Sequence, residues 1–112
     1  MASIEYSPQA IEDLKELERR IKDDCGEKAA SKKTRKLFTE ISRLKQFPFS
    51  GVNLGGMIDV PTNYRYNFVE KNYVFNYIES QNVWIVRILD ARQDFMYQLF
   101  GHDLKSTDEE NN

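Results

Sequence analysis

The stretch TNYRYNFVEKNYVFNYIESQNVWIVRILD, residues 62–90, decides the fold. Bulky and smaller or polar residues alternate along three runs, YRYNFVE, YVFNYIES and NVWIVRILD, as they do in strands with two unlike faces. The gaps at Lys71-Asn72 and at Gln81 leave no room for a crossover, so the three runs predict tight hairpins and an antiparallel meander. Tyr66 and Phe68, then Tyr73, Phe75 and Tyr77, then Trp84, Val86 and Ile88 are the bulky sets. They are expected to pack beneath whatever covers the sheet. Arg65 and Asn67, Val74 and Asn76, and Arg87 make the opposite face, which carries two guanidinium groups and is expected to stay open.

Upstream lies the cover. SIEYS is a short strand candidate, and SPQAIEDLKELERRIKDDCG reads as a helix with Ser7 as N-cap, Pro8 in the first helical position and Gly26 at its end. Ala10, Ile11, Leu14, Leu17 and Ile21 give it one apolar stripe. A second helix over residues 27–46 repeats the spacing with Ala30, Thr34, Leu37, Ile41 and Leu44, and the short link at Cys25-Gly26 makes the two an antiparallel hairpin. FPFSGVNLGGMIDVPTN, residues 47–63, is a loop rich in Pro and Gly. RQDFMYQLFG reads as a short last helix. The fold class is therefore α+β: an N-terminal strand, an antiparallel helix hairpin, a three-stranded meander completing a four-stranded sheet, and a short C-terminal helix. Residues 1–102 are expected to form one domain, with residues 103–112 an acidic, disordered tail.

Composition narrows the chemistry. The chain has 112 residues, 16 Lys and Arg, 18 Asp and Glu, one His and one Cys. His102 and Cys25 cannot assemble a metal cluster, a disulfide or a histidine triad within the chain, so neither metal nor cofactor is expected. No apolar run approaches a membrane span, and the N-terminus lacks a signal-like core, so a cytoplasmic protein without membrane contact is expected. Outside the tail, bases and acids nearly balance, unlike a strong nucleic-acid binder. The basic run KAASKKTRK, residues 28–36, reads best as a solvated helix face flanked by Glu27 and Glu40.

The order of elements, together with SPQAIEDLKELERRI, LKQFPFSG, TNYRYNFVEKNYVFNYIES and IVRILDARQDFMYQLFG, resembles the RelE/ParE superfamily of toxins from bacterial type II toxin-antitoxin systems, over about residues 4–101. The resemblance implies growth inhibition, a role in plasmid stabilisation and a cognate antitoxin that covers the toxin. It implies one of two activities. ParE-like members are associated with poisoning of DNA gyrase, and RelE-like members with ribosome-dependent cleavage of messenger RNA. A non-toxic chain that keeps only antitoxin binding is a third alternative.

The cleaving branch needs cations around a scissile phosphate and a proton donor for the leaving oxygen. Under that reading Arg65, Arg87, Arg92 and Tyr97 would be the catalytic set. The strand arginine of RelE-like enzymes falls, however, on Val74, and Asp90 places an acid where a phosphate would be repelled. The ParE-like branch, a binding inhibitor rather than an enzyme, is the favoured expectation. Its target- or antitoxin-binding residues would then be Arg65, Asn67, Asn76, Arg87 and Arg92. Arg65 and Arg87 are expected to point away from the helix hairpin, toward an antitoxin segment that also touches that hairpin.

Overall fold

The computed structural model describes residues 2–56 and 62–91. The chain runs through β1 (Ser3–Tyr6), α1 (Pro8–Cys25) and α2 (Glu27–Ser42), and a 3₁₀ turn, Arg43–Lys45, extends α2. Then come β2 (Val52–Asn53), a second 3₁₀ turn (Leu54–Gly56), β3 (Arg65–Val69), β4 (Asn72–Glu79) and β5 (Asn82–Asp90). The sheet order is β1-β5-β4-β3-β2, with β1 parallel to β5 and every other pair antiparallel. The sheet has five strands where four were expected, because two residues of the Pro/Gly-rich loop pair with β3 through Val52↔Tyr66 and Asn53↔Arg65. A two-residue strand leaves almost no periodic trace in a sequence. The predicted C-terminal helix and acidic tail lie outside the described residues.

Local signals place the helices. The Ser7 hydroxyl accepts from the Ala10 amide at 3.0 Å and donates to the Val86 carbonyl at 2.8 Å, so one side chain caps α1 and moors it to β5. Gly26, at φ 91°, separates α1 from α2 in a conformation that a side chain would strain. Ala30, Leu37, Ile41 and Leu44 are buried as their spacing predicts, whereas Ile11 is 43% exposed. Both hairpin turns are two residues long with two successive positive φ angles, 49° and 65° at Glu70-Lys71 and 51° and 66° at Ser80-Gln81. Such turns match the twist of the strands but favour Asn-Gly, which neither of them has.

The two faces of the sheet are the reverse of those expected. Ala10, Leu37, Ile41 and Leu44 of the helical layer pack on Val74, Val83, Ile85 and Ile88. The aromatic set lies on the other face, where Phe75, Leu54 and Leu89 form a second core ringed by Tyr64, Tyr66, Tyr73 and Val86. Short β-branched side chains let the helices approach the sheet closely, while the tyrosines keep their hydroxyls near the rim. Period-two alternation identifies two faces without saying which one the helices take. The grouping of Trp84, Val86 and Ile88 fails for a further reason. Phe75 pairs with Arg87 but Asn76 pairs with Ile85, so β5 carries an extra residue in a bulge. The phase slips there, which sends Val86 to the aromatic core and Ile88 to the helical one.

Arg87 sits in the bulge, and it does not point away from the helices. Its Nε donates to Asp13 Oδ2 at 2.8 Å and its Nη2 to Asp13 Oδ1 at 3.0 Å, while the Ile88 amide donates to Oδ2 at 2.9 Å. β1 reaches only as far as Ile85 along β5, so Asp13 of α1 supplies the acceptor that a neighbouring strand would otherwise give. The side chains of Arg87 and Asp13 are only 16% and 11% exposed. Replacing Asp13 with Ala is therefore expected to cost about 3 kcal/mol in denaturant unfolding, because it takes the carboxylate from a largely buried cation and an amide. Asp13→Ala with Arg87→Met should recover much of that loss. At the other hairpin, Ser80→Asn with Gln81→Gly is expected to raise stability by about 1 kcal/mol, read as a higher denaturant midpoint at unchanged slope.

Candidate functional site

The loop after α2 does more than connect. At its end Gly51 packs against β3 so closely that a Cβ would lie 2.7 Å from Asn67 Oδ1, 2.9 Å from the Tyr66 carbonyl oxygen and 3.2 Å from Arg65 Cβ. This approach lets the Gly51 carbonyl accept from Arg65 Nη1 at 3.0 Å, and the guanidinium lies over the Phe49 ring at 5.3 Å from its centroid. Beside it runs a chain of amides. Asn76 Nδ2 donates to Asn67 Oδ1 at 3.0 Å and to the Val74 carbonyl at 2.9 Å, and Asn67 Nδ2 donates to Ser50 Oγ at 3.2 Å. Asn76 is fully buried, and its Oδ1 has no hydrogen-bond partner among the described residues.

Arg65, Asn67 and Asn76 are thus brought together on the helix-facing side of the sheet, against the loop, and not on the opposite face. Cross-strand register explains it: Arg65 pairs with Asn76 and Asn67 with Val74, so all four share the face that Val74 shows to Leu37 and Ile41. Arg87 belongs to a different place. It lies two strands from Arg65, roughly 10 Å across β4 at ordinary strand spacing, and is taken up by Asp13. Val74 is fully buried, so a cation there would have no route to a phosphate. Asp90 approaches Arg20 of α1, with Oδ2 3.8 Å from Nη1. Arg92 and Tyr97 lie outside the described residues.

Phe47, which sequence reasoning passed over, stands beside a groove next to this site, and the edge of β3 at Phe68, a residue expected beneath the helices, forms part of its wall. Phe47 is 61% exposed and Phe68 56% exposed. The groove measures about 440 Å³ and has Ile41, Leu44, Val69 and Val74 among its lining residues, while the Phe68 ring packs edge-on against Tyr73, 5.2 Å between centroids, on the other face of the sheet. The available signal was FPF at residues 47–49, two phenylalanines around a proline in a segment otherwise made of turn residues. At the tip of the β3–β4 hairpin, Glu70 meets Lys36 of α2 at 2.8 Å. The hydrogen bond between them holds the Glu70 carboxyl below the usual carboxylate range and raises the Lys36 ammonium. The bridge is present at neutral pH, fades in acid as Glu70 protonates and in strong base as Lys36 loses its proton. Solvent screens it, so it orients the hairpin more than it stabilises the fold.

This arrangement is a small helix-covered sheet with an arginine stacked on an aromatic ring beside a groove of mixed lining, and no catalytic cluster is gathered among the described residues. The family model for the ParE toxin of the type II toxin-antitoxin system parDE matches residues 4–95, and the chain belongs to that family. Among solved structures it is similar to one described as the chromosomal ParDE TA system from P. aeruginosa, with 20% identity, a TM-score of 0.69, and coverage of 80% of this chain and 96% of that one. At that identity the likeness is one of fold. No curated protein matches the chain.

The close approach at Gly51 generates a direct test. Gly51→Ala should push the loop off β3, lowering stability by about 1–3 kcal/mol in a denaturant titration. It should also shift the Arg65 Nε and Phe49 ring resonances, because the stacked pair comes apart, and leave the distant Asp13–Arg87 contact as it was.

Proposed function

We propose that this member of the ParE toxin family arrests growth by binding DNA gyrase in the cytoplasm and does not cut RNA. The observation that carries the reading is the capture of Arg87 by both carboxylate oxygens of Asp13. Phosphodiester cleavage develops negative charge on phosphate oxygens, and losing one preorganised cation costs roughly 3 kcal/mol, about a hundredfold in rate. Here one strand cation is bound to an acid, and the position of another is a buried valine. Arg65 remains. It makes no ion pair among the described residues, and stacking on Phe49 limits its rotamers, so it meets a partner with little further ordering.

Under this reading Arg65 contacts the target, and an antitoxin with acidic groups neutralises it in the stored complex. Asn67 and Asn76 hold the loop that carries Phe49 and so position the arginine, while Arg87 and Asp13 hold the sheet. Arg65→Ala is expected to raise the concentration needed to inhibit gyrase supercoiling by about tenfold, the loss of one charged contact, while the fold is retained and stability falls by only about 1 kcal/mol with the bond to the Gly51 carbonyl. Induction of the wild-type chain alone should arrest growth, and purified protein on translating ribosomes should leave messenger RNA intact. Cuts in the ribosomal decoding site would promote the ribosome-dependent endoribonuclease, with Arg92 and Tyr97 as the residues to replace next. Unimpaired growth would instead identify a chain that retains antitoxin binding alone.

A further inference from the structure

The outer face of α2 and its 3₁₀ extension carries a stripe of bases. Lys28, Lys32, Arg35, Lys36 and Arg43 recur at helical spacing on the side away from the buried Ala30, Leu37 and Ile41, and Lys33 stands at the edge of the stripe. The acids near it are already engaged. Glu40 lies 3.3 Å from Arg43, Glu70 lies 2.8 Å from Lys36, and Glu27 lies 3.4 Å from Lys22 of α1. Those six bases against Glu27, Glu40 and Glu70 leave a net of +3, and Glu18 and Lys22 of α1, beside Lys28 in the groove between the helices, cancel each other. Lys28, Lys32, Lys33 and Arg35 are exposed and make no salt bridge among the described residues.

The chain itself carries the counter-charge. Residues 103–112 hold Asp103, Asp108, Glu109 and Glu110 against Lys105, a net of −3. The chain leaves β5 at the flank of α2, because the Ala91 amide donates to the Lys71 carbonyl at 3.0 Å, next to the Glu70 that Lys36 holds. From there the eleven residues 92–102 span about 36 Å extended or about 16 Å as a helix. The helix α2 is itself about 24 Å long, so the acids reach the stripe in either form. Tethering gives them an effective concentration on the order of millimolar, enough for several weak exposed pairs to form together. We propose that the acidic segment 103–112 lies along the basic outer stripe of α2 in its own chain, held by charge. A nucleic acid or an acidic protein must then displace the segment before it meets the stripe. The contact is independent of the target assigned to Arg65.

Cys25, the one cysteine of the chain, is exposed where α1 turns into α2, close to the start of the stripe, and makes the test direct. A nitroxide attached there to the full chain should broaden the amide resonances of residues 106–110 in low salt. Raising the salt should restore them, because the pairs are exposed and screened. So should Asp108→Asn with Glu109→Gln and Glu110→Gln, changes that leave every described residue in place, and so should Lys32→Glu with Lys33→Glu and Arg35→Glu. Without the nitroxide, Lys32 and Lys33 should acetylate about threefold more slowly in the wild-type chain than in the variant with the neutral segment, while Lys15 on α1 reacts equally in both. Sharp resonances in low salt would overturn the proposal, and so would broadening that survives high salt or the charge changes. Broadening that appears only when a nitroxide-bearing copy is mixed with an isotope-labelled one would assign the stripe to a second molecule and overturn the contact within one chain.

Discussion

Asp13 holds the molecule together where the sheet runs out of strands. β1 pairs with β5 only through its first half, and beyond Ile85 the edge passes to α1, whose Ser7 takes the Val86 carbonyl and whose Asp13 takes the Ile88 amide. The β5 bulge makes this possible by turning Arg87 toward the carboxylate, giving a bidentate pair in place of one lone hydrogen bond. The helical layer is tied to the sheet there by polar contacts, which fix its angle, while Ala10, Leu37 and Ile41 supply the apolar contact that holds it down. Without the carboxylate, the bulge would leave an amide and a cation facing the underside of a helix.

Much of this was legible in the sequence, and the failures have physical causes. The cap at Ser7, the break at Gly26, the buried stripe of α2 and the three strands of the meander follow from periodicity and backbone chemistry, which act over a few residues. The side of the sheet covered by helices is a long-range fact. A tyrosine-rich face looks more hydrophobic than a valine-rich one, yet the helices lie on Val74, Val83 and Ile85 because these let the backbones come close. The bulge is worse hidden still, since one extra residue in a nine-residue strand leaves an apolar run that looks continuous. Arg87 broke that run, and the break was the visible trace of the Asp13 contact.

The candidate site shows the same division. That Arg65, Asn67 and Asn76 share a face could be read from spacing and register, and they do share one. What covers that face depends on a loop whose path is set by a single close approach at Gly51, and no pattern in the loop announces it. Phe47, Phe49 and Phe68 were visible as residues but not as surface, because burial depends on which of them the loop folds over. The surface around Arg65 is thus shaped by a segment with little secondary structure, held in place by an arginine, two asparagines and a missing side chain.

The pairing of β1 with β5 also orders events during synthesis. The first strand to leave the ribosome finds its partner in the last strand of the sheet, and the Ser7 hydroxyl must wait for a carbonyl 79 residues further along. The helix hairpin can form early from local contacts, but it has no completed sheet to lie on until β5 arrives, and closing so long a loop is slow. A chain interrupted before residue 82 would hold two helices and a partial meander, with neither the Asp13 contact nor a finished helix-facing core. The fold of this chain is therefore an all-or-none product of synthesis, finished only once β5 is complete.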